Sequence, residues 1–160
     1  RYVVLVEGPF PETLEAKGYL VEDPDLYPGK RQLFKPGEWK REMMEGDIWS
    51  DTRFRRIATH GGITEVEVIP STGRLHQIRA TLCSLGHPVV GDKMYGADPT
   101  VFARFCNGTM TDEDRRRMRL DRQALHAAGL RFRHPRTSKA LVFDLPMPAD
   151  MAGLLEKAAP

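Results

Sequence analysis

Two strand-like segments separated by a Gly-Gly pair run straight into a helical pattern, and this order constrains the fold more than any other feature. Thr52 to Thr59 and Ile63 to Ile69 have the composition of strands, and Gly61-Gly62 suits the tight turn between them. Tyr2 to Glu7 has the same character and ends at Gly8-Pro9. Consecutive hairpins with interspersed helices predict an α+β domain, with an antiparallel or mixed sheet and flanking helices, rather than a doubly wound fold.

The rest of the chain supplies the remaining elements of this prediction. Pro11 to Gly46 is rich in proline, glycine and charge, so residues 11–46 are expected to form an irregular excursion within the domain. Three further predictions concern the last third of the chain. They are a helix over Asp112 to Arg119 capped by Thr111, paired strands over Ala124 to Arg133 and Lys139 to Leu145, and a last helix capped by Asp150.

Length and composition limit the class of protein. With 160 residues and 41% hydrophobic content, the chain is expected to bury one core and to form a single domain over residues 1–160. Two cysteines are too few for a disulfide framework, and neither a signal peptide nor an apolar run of about 18 to 20 residues is present. A cytoplasmic protein without membrane contact is therefore expected. The net charge of +2 permits a nucleic-acid partner without requiring one.

The segment from Ser71 to Gly96 contains the most informative helix. Ser71 or Thr72 is a suitable cap, and Gly86 supplies a left-handed exit. The pattern predicts a helix of about three turns. Its apolar stripe comprises Leu75, Ile78, Leu82 and Leu85.

Arg79 falls on the shoulder of that stripe, beside His76 and Cys83, and is expected to be half-buried. A half-buried guanidinium needs an acceptor, and a carboxylate or a phosphate fits its planar fork best. Two interpretations remain open at this point: a structural salt bridge, and a functional arginine.

The order of motifs favours the second interpretation. Gly73-Arg-Leu-His-Gln-Ile-Arg79, followed by Gly86-His87-Pro88, Gly91-Asp92 and Tyr95-Gly96, resembles the signature of the RluA-type RNA pseudouridine synthases. Arg1 to Gly8 resembles the tyrosine strand of that family, and Arg122 to Pro135 resembles its last motif. Three ordered motifs are much more specific than any one of them.

The resemblance implies roles for particular residues. Tyr2 corresponds to the tyrosine that lies against the target base, Arg79 to the arginine that pairs with the catalytic aspartate, and Leu125 to the leucine that closes the uracil pocket. Arg74, His76 and Gln77 belong to the same signature and are implied in substrate binding. The glycine-rich tail of the motif is expected to be structural.

The aspartate itself has no counterpart in its family position. The family motif is Arg-Leu-Asp followed by Thr-Ser-Gly, upstream of the tyrosine strand, where this sequence has only Arg1. Arg119-Leu120-Asp121 reproduces the first letters, but Gln123 to His126 follows it and the order of motifs is wrong. Asp121 is therefore interpreted as a decoy at a surface helix end. The chain looks like the C-terminal part of a synthase, and by itself it is predicted to be inactive.

The implied function is isomerisation of uridine to pseudouridine in structured ribosomal or transfer RNA, with the base flipped into a pocket. The chemistry needs a carboxylate and no metal or other cofactor. The alternative is a non-catalytic RNA-binding module that keeps the fold without the aspartate. A hydrolase built on Ser71 or Cys83 with His76 is disfavoured, and the five histidines show no close metal-ligand spacing. The oligomeric state is not encoded in these motifs.

Overall fold

A six-stranded antiparallel sheet organises the computed structural model, which describes residues 1–24, 31–39 and 46–158. The α+β prediction is confirmed. In the described residues the main sheet has the order β3-β2-β4-β5-β1-β6, and β7 and β8 form a separate two-stranded sheet. The strands are β1 (Tyr2–Glu7), β2 (Thr13–Glu22), β3 (Gln32–Pro36), β4 (Ile48–His60), β5 (Ile63–Pro70), β6 (Leu125–His126), β7 (Gly129–Arg133) and β8 (Ala140–Asp144); the helices are α1 (Gln77–Ser84), α2 (Val101–Cys106), α3 (Asp112–Met118) and α4 (Ala149–Ala158).

The predicted central hairpin is confirmed and is longer than expected. β4 and β5 pair from Thr52 opposite Pro70 to His60 opposite Ile63, with one register shift between Arg56 and Ala58. Gly61 and Gly62 both have positive φ, as a two-residue hairpin turn requires. β4 continues beyond the start of this pairing, so its first residues lie beside the segment that follows β5.

The segment 11–46 is not irregular throughout, which corrects the prediction. β2 pairs with β4 over eight positions and β3 pairs with β2. Tyr19, Leu20 and Phe34 are buried there, and this burial outweighs the local turn signals. Residues 25–30 and 40–45 of the segment lie outside the described residues.

Helix α1 covers one face of the sheet but starts later than expected. It has eight residues, about two turns rather than three. Neither Ser71 nor Thr72 caps it, because the N-cap is His76, with φ 55° and no side-chain capping bond. Leu75 is therefore outside the helix and 56% exposed, while Ile78 and Leu82 are buried as predicted.

The C-terminal elements agree in part with the sequence. Thr111 caps α3 through a capping box with Asp114, as predicted. Asp150 lies inside the first turn of α4, which begins at Ala149, so it is not the cap. The strand expected over Ala124 to Arg133 divides into β6, which pairs with β1, and β7, which pairs with β8. α2 was not predicted.

Two glycines of the signature have the same backbone conformation in very different surroundings. Gly86 has φ 83° and open space at its Cβ position, whereas Gly91 has φ 72° and its Cβ position meets the main-chain carbonyls of Leu120 and Arg122. Gly91 therefore sets a close approach of two main-chain segments next to Asp92.

We expect Gly86→Ala to lower the free energy of unfolding by about 1 to 2 kcal/mol, the strain of a left-handed alanine. Gly91→Ala adds a main-chain collision to that strain, so its loss should exceed that of Gly86→Ala by about 1 kcal/mol or more. Urea unfolding of both variants measures the difference. Equal losses would show that the approach at Gly91 is easily relaxed.

Candidate functional site

A cavity of about 410 Å³ opens where β1, β6 and the start of α1 meet. Every residue that the family resemblance implicated in catalysis or substrate binding lines it. Five more lining residues were not among those predictions: Pro70, Thr72, Gly73, Ile78 and Gln123. The predicted residues in the lining are Tyr2, Arg74, His76, Gln77, Arg79 and Leu125.

Tyr2 and Leu125 lie on the same face of the sheet. β6 pairs with β1 so that Leu125 is opposite Val4, and side-chain alternation puts Tyr2 and Val4 on one face. Tyr2 is itself opposite Val68 of β5, whose side chain is buried. Both cavity residues are half-buried. They therefore present an aromatic ring and an apolar side chain to the same space, held by adjacent strands.

Arg79 is fixed by Asp92, and this partner was not predicted. Its Nε donates to Asp92 Oδ2 at 2.5 Å and its Nη2 to Asp92 Oδ1 at 2.7 Å. The Arg79 side chain is 16% exposed, as the half-buried prediction required, and the Asp92 carboxylate is fully buried. Burial by itself would lower the pKa of Arg79, but the hydrogen bonds and charge of Asp92 outweigh it and raise that pKa.

This pairing uses only one edge of the guanidinium. A guanidinium has five N–H donors, and the bond pattern through Nε and Nη2 takes the side edge. On the outer edge, Nη1 has no hydrogen bond among the described residues, and Nη2 keeps the second of its two N–H groups. Because Arg79 lines the cavity, a second anionic group can be bound there in the same bidentate manner.

Asp92 is also tied to the main chain that follows it. Its Oδ1 accepts the backbone N–H groups of Met94 and Tyr95 at 3.0 Å and 2.9 Å. The sequence prediction treated Gly91-Asp92 as structural, and the acid is indeed part of a turn. No helical periodicity connects Asp92 with Arg79, because the two residues are 13 positions apart.

His76 is held by a chain of hydrogen bonds. Tyr95 Oη accepts from the backbone N–H of Gln32 at 2.8 Å and lies 3.2 Å from His76 Nδ1. The tyrosine proton is then available to Nδ1, which favours the imidazole tautomer with its proton on Nε2. Burial, and then the positive charge of Arg79, lower the pKa of His76. Both effects favour the neutral form of His76.

Gln77 uses its full hydrogen-bonding capacity inside the protein. Its Nε2 donates to Thr52 Oγ1 at 2.8 Å and to the Asp51 carbonyl at 3.2 Å, and its Oε1 accepts from Thr72 Oγ1 and from Arg74 N–H, each at 2.9 Å. The side chain lines the cavity but is 4% exposed. Its bonds hold residues 72–74 against β4, so its contribution to the site is to position that loop.

Asp121 lies closer to the site than its place in the sequence indicated. It follows α3 in a bend, is exposed, and lines a second cavity of about 260 Å³ to which His76 and Arg79 also contribute. Its main-chain carbonyl accepts a hydrogen bond from Lys93. Its role as a decoy stays a prediction, and a test of function has to include it.

Several arginines that lie close together in the sequence are paired with acids of the protein itself. Arg115, Arg116 and Arg117 of α3 pair with Asp112 and Glu113 of the same helix. Arg55 binds Glu67 at 2.8 Å. These arginines therefore offer less free charge to a polyanion than their number indicates.

Within residues 1–24, 31–39 and 46–158, no three His, Cys, Asp or Glu side chains lie together as a metal site would require. None of the helices in the described part of the chain is long and apolar enough to cross a bilayer.

Sequence comparison connects this site to named proteins. The chain is 40% identical over 105 residues to ribosomal large subunit pseudouridine synthase D of Vibrio vulnificus (strain CMCP6), covering 66% of this chain and 31% of that protein. It is 35% identical over 117 residues to an uncharacterized RNA pseudouridine synthase of Bacillus subtilis (strain 168). That match covers 72% of this chain and 33% of that protein. No family model matches the chain.

Two solved structures share the fold of this chain. Human RNA pseudouridylate synthase domain containing 1 matches with a TM-score of 0.66 at 24% identity, over 91% of this chain and 53% of that one. Human RNA pseudouridylate synthase domain containing 4 matches with a TM-score of 0.63 at 17% identity, over 98% of this chain and 60% of that one. At these identities the likeness establishes the fold.

Over about two thirds of its length the chain is homologous to RNA pseudouridine synthases. Its named relatives include ribosomal large subunit synthases of the D type. The chain spans about one third of the length of the curated relatives it matches.

We expect Asp92→Asn to lower the free energy of unfolding by about 2 kcal/mol or more, because it leaves a half-buried guanidinium without its carboxylate. Asp150→Asn is the matched control, since its pair with Arg122 is exposed and should be worth less than about 1 kcal/mol. Urea unfolding at pH 7 measures both. Similar small losses in the two variants would mean that the Arg79–Asp92 pair contributes little to the fold.

Proposed function

We propose that this chain forms the uridine-binding half of an RNA pseudouridine synthase. The observation that carries the proposal is the cavity lined by Tyr2, Arg79 and Leu125 together with the loop of residues 72–76. It is concave and mostly apolar, with a few polar groups among its lining residues, as in a site that binds a small planar ligand. The sequence relatives supply the reaction class.

In this proposal the uridine leaves its stack and enters the cavity between Tyr2 and Leu125. Both side chains offer apolar surface to a planar base, and a base out of its stack needs such surface to offset the lost stacking. Neutral His76 supplies an N–H donor, which suits a uracil carbonyl oxygen. Arg74 is exposed at the rim, where a backbone phosphate would lie.

The reaction exchanges one bond to the sugar for another. The C1′–N1 glycosidic bond breaks, the base turns, a C1′–C5 bond forms, C5 loses its proton and N1 gains one. No redox partner is needed. A carboxylate has to act at the sugar or the base, and we propose that it comes from a segment outside this sequence and binds the outer edge of Arg79.

Asp92 has a supporting role in this arrangement. It binds Arg79 through Nε and Nη2, so the guanidinium keeps its orientation before the second carboxylate binds. The cation favours the charged form of that carboxylate. The alternative function, RNA binding without turnover, applies to the 160-residue chain by itself, whose paired arginine lacks this second acid.

The test uses RNA labelled with tritium at C5 of uridine, since forming the C1′–C5 bond releases that hydrogen. The 160-residue chain should bind the RNA without releasing tritium. The protein encoded by the complete reading frame should release it, and Arg79→Met should reduce release by at least about a hundredfold.

Two controls make the assay specific. Arg116→Met changes an exposed arginine paired with Glu113 on α3 and should leave tritium release unchanged. Asp121→Asn should also have no effect. Release by the short chain, lost in Asp121→Asn, would place the catalytic carboxylate at Asp121 and overturn the proposal of an external segment.

A further inference from the structure

An aromatic cluster lies next to the cavity but outside it. Trp39 packs edge-on against Trp49, with ring centroids 5.3 Å apart and an interplanar angle of 83°. Trp49 in turn packs edge-on against Tyr19, also at 5.3 Å. None of these three residues lines the uridine cavity. The cluster is therefore a separate surface feature.

The cluster is buried at Tyr19 and exposed at Trp39. Tyr19 is buried, and its hydroxyl donates to the Glu38 carbonyl at 2.8 Å, which fixes the main chain next to Trp39. Trp49 is half-buried, and Trp39 is 59% exposed. An exposed indole held by a second ring is a preformed flat surface, which costs little conformational entropy when a ring stacks on it.

The cluster and the cavity border the same loop. Arg74 Nε donates to the Trp49 carbonyl at 3.2 Å, and Arg74 itself lines the cavity. Two residues further along β4, the Asp51 backbone N–H donates to Thr72 Oγ1 at 3.1 Å. The start of β4 and residues 72–74 are thus fixed to each other. Arg74 therefore connects the edge of the cavity to the aromatic cluster.

The face of the sheet that carries the aromatic rings also carries charged residues of both signs. Alternation along β4 puts Arg53 on the same face as Trp49, with Asp51 between them and Glu15 of β2 opposite Arg53. Arg53 is exposed and has no ion pair within the part of the chain that the structure describes. An exposed arginine near aromatic rings is a common feature of surfaces that bind unpaired nucleotides.

We propose that Trp39, supported by Trp49, stacks on an unpaired nucleobase that flanks the target uridine, while Arg74 binds the phosphate between the two nucleotides. This extends the proposed function and rests on it. The stacking surface makes a second contact with the RNA and selects loops whose neighbouring base is free to stack. Every base has a π face, so the contact requires an unpaired base rather than a particular one.

Intrinsic fluorescence reports on this surface directly, because Trp39 and Trp49 are the only two tryptophans of the chain. The probe is a hairpin RNA with one uridine in its loop, labelled at its end so that anisotropy measures binding independently. Binding should quench the tryptophan emission. Trp39→Ala should weaken binding about tenfold, and Trp39→Phe should restore most of it.

A second RNA, with abasic nucleotides on both sides of the uridine, tests what Trp39 contacts. On that RNA, wild-type and Trp39→Ala should bind equally. Phe132→Ala removes an exposed aromatic ring from β7 and is the matched control. It should leave the affinity for both RNAs unchanged.

The outcomes separate the two proposals. RNA binding without quenching, with no effect of Trp39→Ala, would overturn the stacking surface and leave the uridine site intact. If Trp39→Ala weakened binding to the abasic RNA as much as binding to the first RNA, the stacking surface would also be overturned, because the contact would then not involve a base. No RNA binding by the wild-type chain would overturn both proposals.

Discussion

The ion pair between Arg79 and Asp92 is the interaction on which the rest of the site depends. It joins α1 to the segment that follows Gly91, and the same carboxylate accepts the backbone N–H groups of Met94 and Tyr95. Tyr95 then connects to the backbone of β3 at Gln32 and to His76 at the cavity. One buried acid therefore sets the position of the cation and, through Tyr95, of the neutral histidine.

This arrangement explains how a short helix can carry a charged group at the edge of an apolar cavity. An unpaired half-buried arginine would be costly, and Asp92 removes that cost without filling the guanidinium's outer edge. Gln77 fixes the loop before α1 through four hydrogen bonds, so Arg74 and His76 are also held in place. Positions fixed before binding are what a site for a single nucleotide requires.

Local signals in the sequence were sufficient for part of this structure. The Gly61-Gly62 turn, the strand at Tyr2 and the Thr111 cap depend on neighbouring residues, and all three were predicted correctly. The start of α1 was wrong because Thr72 bonds Gln77 and Asp51 instead of capping the helix. β2 was missed because its pairing with β4 joins distant residues. The partner of Arg79 lies 13 residues away, and helical periodicity carries no information about it.

We propose that the cavity holds a flipped uridine while Asp92 keeps Arg79 in place. A crystal structure of the chain bound to a hairpin RNA with a single loop uridine tests this proposal. The uracil ring is expected between Tyr2 and Leu125, with both Arg79–Asp92 hydrogen bonds intact. A uridine that stays stacked in the RNA loop, or an Arg79 side chain that has left Asp92 to bind the RNA, would contradict it.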